Sequence, residues 1–470
     1  MGYRNSPLTS LRPLAVLTAA SVLYACHSAA PSHPSKATTG SASASAPAAS
    51  APAEPIRWID DDVSAAFAKA KSEQKPVLVD AWAPWCHTCL SMRAFVLGDP
   101  ALRPFAQRFV WLALDTEKES NAALVSKLGI QVWPTFAVVD PSGEHITARW
   151  LGAASIQEFR DFLTDAERLS LGDQTGLDPW LKKLVEADRV VKEEPLAAAK
   201  LYEELLQTAP AAWPRRDAVI VSMLMAMRKQ APAGVCVEAA LDKIRHFGHT
   251  SSSADAISVA LGCAERLAQD DDRRVKFVAA AVSHLNALLE DDKAPLSFDD
   301  RGDALGILRE AYELQANHVA AKAATEQRVA LLEKAAAGAP SARVASTYDG
   351  ARAEALVQLG RADDAIAMLK KSEAANPDDY NPPARLARVY LGLGKLDEAL
   401  SAIDRSIPKA YGPRAAQLLG LKVDILDKGG KRAEAKRALE SQIAKYRALP
   451  EGLKRPEAEA KAVQRLESMR

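Results

Sequence analysis

The chain has 470 residues, of which 48% are apolar and only 6% aromatic, and Lys+Arg equals Asp+Glu at 60 each. That length exceeds one ordinary core, so two or three domains are expected. With no net charge there is no electrostatic case for binding nucleic acid, and no such partner is expected.

The chain opens like an export signal. Arg4 and Arg12 give a positive start, and residues 13–25 supply an apolar run too short to span a bilayer as a helix. Residues 1–25 are therefore expected to be a signal peptide. The run ends in Leu23-Tyr24-Ala25-Cys26, which resembles the lipobox of bacterial lipoproteins. The resemblance implies acylation of Cys26 and a membrane anchor on the periplasmic side of the cell envelope. Because residue 27 is His rather than Asp, it implies the outer membrane in preference to the inner one. Ordinary cleavage with Cys26 as an incidental thiol is the alternative. The remainder of residues 26–55 is almost wholly Ala, Ser, Pro and Thr. Such a segment buries too little apolar surface to offset the entropy of ordering it, so a disordered tether is expected.

Residues 56–170 read as alternating strands and helices. Residues 62–73 carry a helical period with Val63, Ala66, Phe67 and Ala70 on one face and Asp62 or Ser64 as caps. Residues 75–82 form an apolar run read as a central strand, followed by a turn into a helix near Cys86. A second strand is expected over 108–115, a helix over 121–128, a hairpin from 135 to 151 turning at Asp140-Pro141-Ser142-Gly143, and a closing helix from Ser155.

The passage from Val79 to Cys89, with Trp85-Cys86-His87-Thr88-Cys89 at its end, resembles the active-site strand and turn of thioredoxin. Gly129-Ile130-Gln131-Val132-Trp133-Pro134-Thr135-Phe136 is similar to that family's cis-proline loop. Residues 92–104 look closer to the C-terminal periplasmic domain of the electron carrier DsbD. A Cys at a helix N-terminus is favoured as thiolate by unpaired N–H groups and the dipole there, so Cys86 is the expected nucleophile and Cys89 the resolving thiol. The resemblance implies that Asp80 accepts the resolving thiol's proton and that Pro134 follows a cis bond and presents backbone to an incoming peptide. Substrate contact is expected for Trp85, His87 and Trp133. His87 is a candidate for stabilising the thiolate or for a solvated side chain of little effect. No metal and no cofactor are expected.

Cys236 and Cys263 lie in a helical region on either side of the turn-like residues 246–251, and a helical hairpin there would pair them as a structural disulfide. Two buried free thiols are the alternative. From 171 to 470 strand patterns vanish. Gly360 and Gly394 are 34 positions apart, and Ala353/Ala387, Leu356/Tyr390, Ala365/Ala399 and Leu369/Ile403 recur in step. This resembles tetratricopeptide repeats, with a looser unit at Gly430 and Ala435 and an isolated match at Ala198, Tyr202 and Pro210. Between 215 and 340 only helices of 12 to 18 residues are expected, without a register.

The fold class expected is an α/β thioredoxin-like domain with a mixed sheet, followed by an all-α tetratricopeptide-like solenoid. The function expected is dithiol–disulfide exchange with envelope proteins, in the direction of a reductase or electron relay. A disulfide oxidase or isomerase, and a repeat scaffold whose thioredoxin head serves docking only, stand as alternatives. The repeats are expected either to dock an unidentified protein partner or to hold the head at a distance.

Overall fold

A computed structural model describes residues 55–170 and 176–469. The signal segment, Cys26 and the tether before Pro55 lie outside the described residues. No helix among the described residues is long and apolar enough to cross a membrane.

The first part is a five-stranded mixed sheet. β1 (Trp58–Asp60), α1 (Val63–Glu73), β2 (Val77–Trp82), α2 (His87–Phe95), β3 (Val110–Asp115), α3 (Ala122–Leu128), β4 (Thr135–Val139), β5 (Ile146–Leu151) and α4 (Ile156–Ser170) follow in order. The sheet runs β1-β3-β2-β4-β5, with β1, β3 and β2 parallel and β4 and β5 antiparallel to their neighbours. α1 starts where Asp62 accepts the backbone N–H of Ala65. β1 went unread in the sequence, since three half-exposed residues carry no alternation long enough to see.

Side chains alternate across a strand, and here the two faces have separate cores. Val77 and Val79 pack with α1 and α3, whereas Leu78 packs with α2 and α4 through Met92, Phe159 and Phe162.

Beyond α4 the described residues form helices. The two recurring units become the helix pairs Asp349–Gln358 with Ala362–Ala375 and Asn381–Gly392 with Leu396–Ser406. Gly360 and Gly394 turn between partners with φ of 76° and 72° and have open space where a Cβ would sit. Their spacing therefore records a left-handed backbone, not a close contact. The small residues meet where helices cross: Ala365, Ala387 and Ala399 are fully buried. Between 215 and 340 the helices run from 12 residues (Arg216–Met227) to 20 (His318–Ala337).

The head is not held at a distance. Its α4 side shares a continuous core with helices from Leu181 to Ala324, and its α3 side shares another with Ala416, Tyr446, Leu449 and Leu453. Helices far apart in sequence thus close on opposite faces of the same sheet.

Candidate active site

The site forms where β2 gives way to α2. Asp80 lies on the same strand face as Leu78, toward α2, and is 1% exposed. Its Oδ2 accepts a hydrogen bond from Nε of Arg93 at 3.0 Å, and the Arg93 guanidinium sits 3.7 Å from the Trp82 ring centroid. Burial pushes the Asp80 carboxyl above its ordinary range, against the opposing pull of Arg93.

Cys86 is the residue before the first helical position of α2, in extended conformation, with its sulfur 3.0 Å from the Cys89 backbone nitrogen. The sulfur thereby lies among the first, unpaired N–H groups of the helix, where negative charge is favoured. Cys89 is one turn on, and the two are joined as a disulfide. Cys86 is 4% and Cys89 1% exposed. Trp82, Trp85 and Trp133 pack about the pair, and the Trp85 and Trp133 rings lie 5.2 Å apart. The Trp133–Pro134 bond is cis, and Trp133 Nε1 donates to Thr116 Oγ1 at 2.8 Å.

The residues flanking Cys86 are gripped by the repeats. Asn381 Nδ2 donates to the Pro84 carbonyl at 3.0 Å. Trp85 Nε1 donates to Glu117 Oε1 at 3.1 Å, and the other oxygen of Glu117 accepts the Arg414 backbone N–H at 2.7 Å. Burial raises the Glu117 carboxyl, opposed by Trp85 and Arg414. The backbone passes so close here that a Cβ on Gly412 would fall 1.9 Å from the Glu117 carbonyl. Nearby the Tyr411 hydroxyl donates to Asp115. His87 turns to the helix Phe298–Leu314. Its Nδ1 is 3.3 Å from both oxygens of Asp299, and its Nε2 is 3.8 Å from Asp303. Burial opposes charge on the imidazole, but Asp303 and Asp299 outweigh it and push its pKa up to about 9. Asp303 is itself raised by burial, with the imidazole pulling the other way. The donor atoms of His87, Asp299 and Asp303 lie within 4.8 Å of one another.

Cys236 and Cys263 lie elsewhere, on the paired helices Ala233–Ile244 and Ser251–Ala264, joined to each other and fully buried. Arg93, Glu117, Asp299, Asp303, Asn381 and Arg414 were not legible as site residues. Only Arg93, one helical turn beyond Cys89, carried a local signal, a cation within reach of a buried acid. The rest arrive from distances of up to 297 positions.

Fold and site together define a thioredoxin-like domain followed by a tetratricopeptide-like helical region. Residues 63–167 match the family model for the thioredoxin-like domain, and residues 356–421 match that for the tetratricopeptide repeat. Over 105 residues the chain is 30% identical to the thiol:disulfide interchange protein DsbD of Pectobacterium atrosepticum, covering 22% of this chain and 18% of that one. The chain therefore spans less than a fifth of the length of this curated relative. A solved tetratricopeptide repeat protein from Parabacteroides merdae is 13% identical, with a TM-score of 0.39 over 62% of this chain and 98% of that one. The solved assembly chaperone of RpL4, Acl4, is 15% identical, with a TM-score of 0.30 over 62% of this chain and 98% of its own.

Proposed function

We propose that this chain is a thiol–disulfide oxidoreductase of the cell envelope, acting as a reductase or electron relay on protein disulfides and anchored by lipid on Cys26. The observation that carries the reading is the Cys86–Cys89 pair at the start of α2, in one cluster with Trp133 of the cis Trp133–Pro134 bond. In the dithiol form the Cys86 thiolate attacks one sulfur of the substrate disulfide, and the other sulfur leaves as thiolate. Cys89 then gives up its proton, with Asp80 as acceptor, and attacks Cys86 Sγ. The second substrate sulfur leaves and the Cys86–Cys89 disulfide is restored. Two electrons have passed to the substrate, and an external dithiol must return them. Trp133 and Pro134 offer backbone to the substrate. The likeness to a thiol:disulfide interchange protein supports this chemistry.

An envelope location is supported by the segment ending in Cys26 and by a buried second disulfide, a bond that persists in oxidising compartments. The helical region would take a protein partner on the faces its own head leaves uncovered.

The test is the equilibrium potential of the Cys86–Cys89 pair titrated against glutathione. A value near or below about −230 mV supports the reductase direction, and one near about −120 mV makes the protein a disulfide donor instead. The grip of Asn381 and Asp299 on the residues beside Cys86 favours one second reading, a scaffold whose head serves docking. Retention of biological activity by a Cys86→Ser protein would select it.

A further inference from the structure

The proposed chemistry uses Cys86, Cys89, Asp80 and Pro134 but gives His87 no role, although His87 is held by two carboxylates of a distant helix. Its ring is only 20% exposed, and it faces a helix 212 positions away in the chain. Asp299 is 3% exposed in its side chain and brackets Nδ1 with both oxygens, while Asp303, one turn further along the same helix, lies beside Nε2. On the far side Arg328 of the next helix reaches Asp303 at 3.6 Å and Glu354 at 3.2 Å. Asp300 and Asp255 complete the acidic surroundings of Asp303. The charges facing His87 are thus two carboxylates at contact range with a guanidinium behind them. A neutral imidazole carries a proton on one nitrogen only and would turn a lone pair toward the other carboxylate, so only the doubly protonated ring suits both contacts.

We propose that Asp299 and Asp303 are positioning residues of the redox centre: the repeat region holds His87 as a fixed cation next to Cys86, so the thiolate's surroundings depend on a helix outside the thioredoxin-like domain. The proposal rests on the thiol–disulfide reading of this site. A free histidine loses its charge near pH ~6.5, inside the range where the centre works. Held by the two carboxylates, His87 keeps its proton up to about 9. The potential of the pair then carries no histidine-linked bend at neutral pH. Such a bend arises only where the imidazole titrates, and titrates differently in the disulfide and dithiol forms.

The experiment follows the His87 imidazole by NMR against pH in the whole protein, and the redox potential over the same range. Wild type is expected to titrate His87 near 9 and to show no histidine-linked bend, read as the difference from His87→Gln, between about pH 6 and 8. The isosteric pair Asp299→Asn and Asp303→Asn is expected to bring the imidazole back by one unit or more and to introduce that bend. Adding His87→Gln should then erase it. Wild-type His87 titrating near ~6.5 overturns the proposal without any variant. So does a double variant, folded by circular dichroism, whose imidazole stays where it was. An imidazole near 9 in a protein that exchanges with no disulfide would instead sink the thiol–disulfide reading, and the positioning role with it.

Discussion

The two disulfides among the described residues are both sealed from solvent, yet they sit in different kinds of place. Cys236 and Cys263 are 0% exposed; Cys236 sits in the first turn of its helix with its N–H bonded to the Pro232 carbonyl, and Cys263 is next to last in its own. Cys86 is hardly more open at 4%, but it stands at the end of a helix with N–H groups turned toward its sulfur. Burial alone therefore does not tell a staple from a working bond. What differs is what a thiolate, once formed, would meet: helix N–H groups at Cys86, and at Cys263 the Arg266 guanidinium, whose Nη2 lies 3.5 Å from the sulfur.

The sharpest way to break that comparison is to abolish each bond in turn. Cys86→Ser should lower exchange with a peptide disulfide by more than about a thousandfold, whereas Cys236→Ala with Cys263→Ala should leave the rate within about twofold. Comparable losses from both would mean the second pair belongs to the chemistry. For stability the order reverses: losing the Cys236–Cys263 link should cost about 3 kcal/mol in denaturant unfolding, as expected for a loop of that size. A cost below about 1 kcal/mol would show that the helices need no staple.

The charge around Cys86 supplies the next prediction. His87 has a raised pKa in the folded chain, so its stabilising contribution is complete below about 6.5 and is lost as pH rises through about 9. Wild type minus His87→Gln should differ by about 3 kcal/mol at pH 6 and converge by pH 10. The subtraction matters, because the buried Asp255 and Asp300, raised to about 8 and about 7, slope the wild-type curve the same way. A flat difference would mean that His87 is neutral in the fold. The smallest effect belongs to the repeats: Gly360→Ala meets no neighbouring atom and should cost only the left-handed backbone, roughly 1 kcal/mol, with exchange unchanged.

The α/β domain was legible because its signals are local: an apolar strand interrupted by one Asp, a CxxC at a helix start, and a Trp-Pro loop. Even so, β1 escaped, being stabilised by pairing with β3 rather than by any pattern of its own. The repeat pairs near 360 and 394 were legible because a positive φ demands Gly at a fixed spacing. The helices between 215 and 340 kept no register, and in Arg216–Met227 nine of twelve residues are buried, which removes the amphipathic stripe that periodicity needs. Least legible was the union of the two regions. His87 meeting Asp299, Asn381 reaching Pro84 and Arg414 reaching Glu117 are products of tertiary approach, and no spacing within either region encodes them.

The most direct test of the account is to trap the intermediate. Cys89→Ser protein mixed with a peptide disulfide should accumulate a covalent adduct that mass mapping places on Cys86, and that adduct should be absent when Cys86 is also Ser. No adduct, or one borne by another cysteine, would contradict the assignment of Cys86 as the attacking thiol and the thiol–disulfide reading built on it.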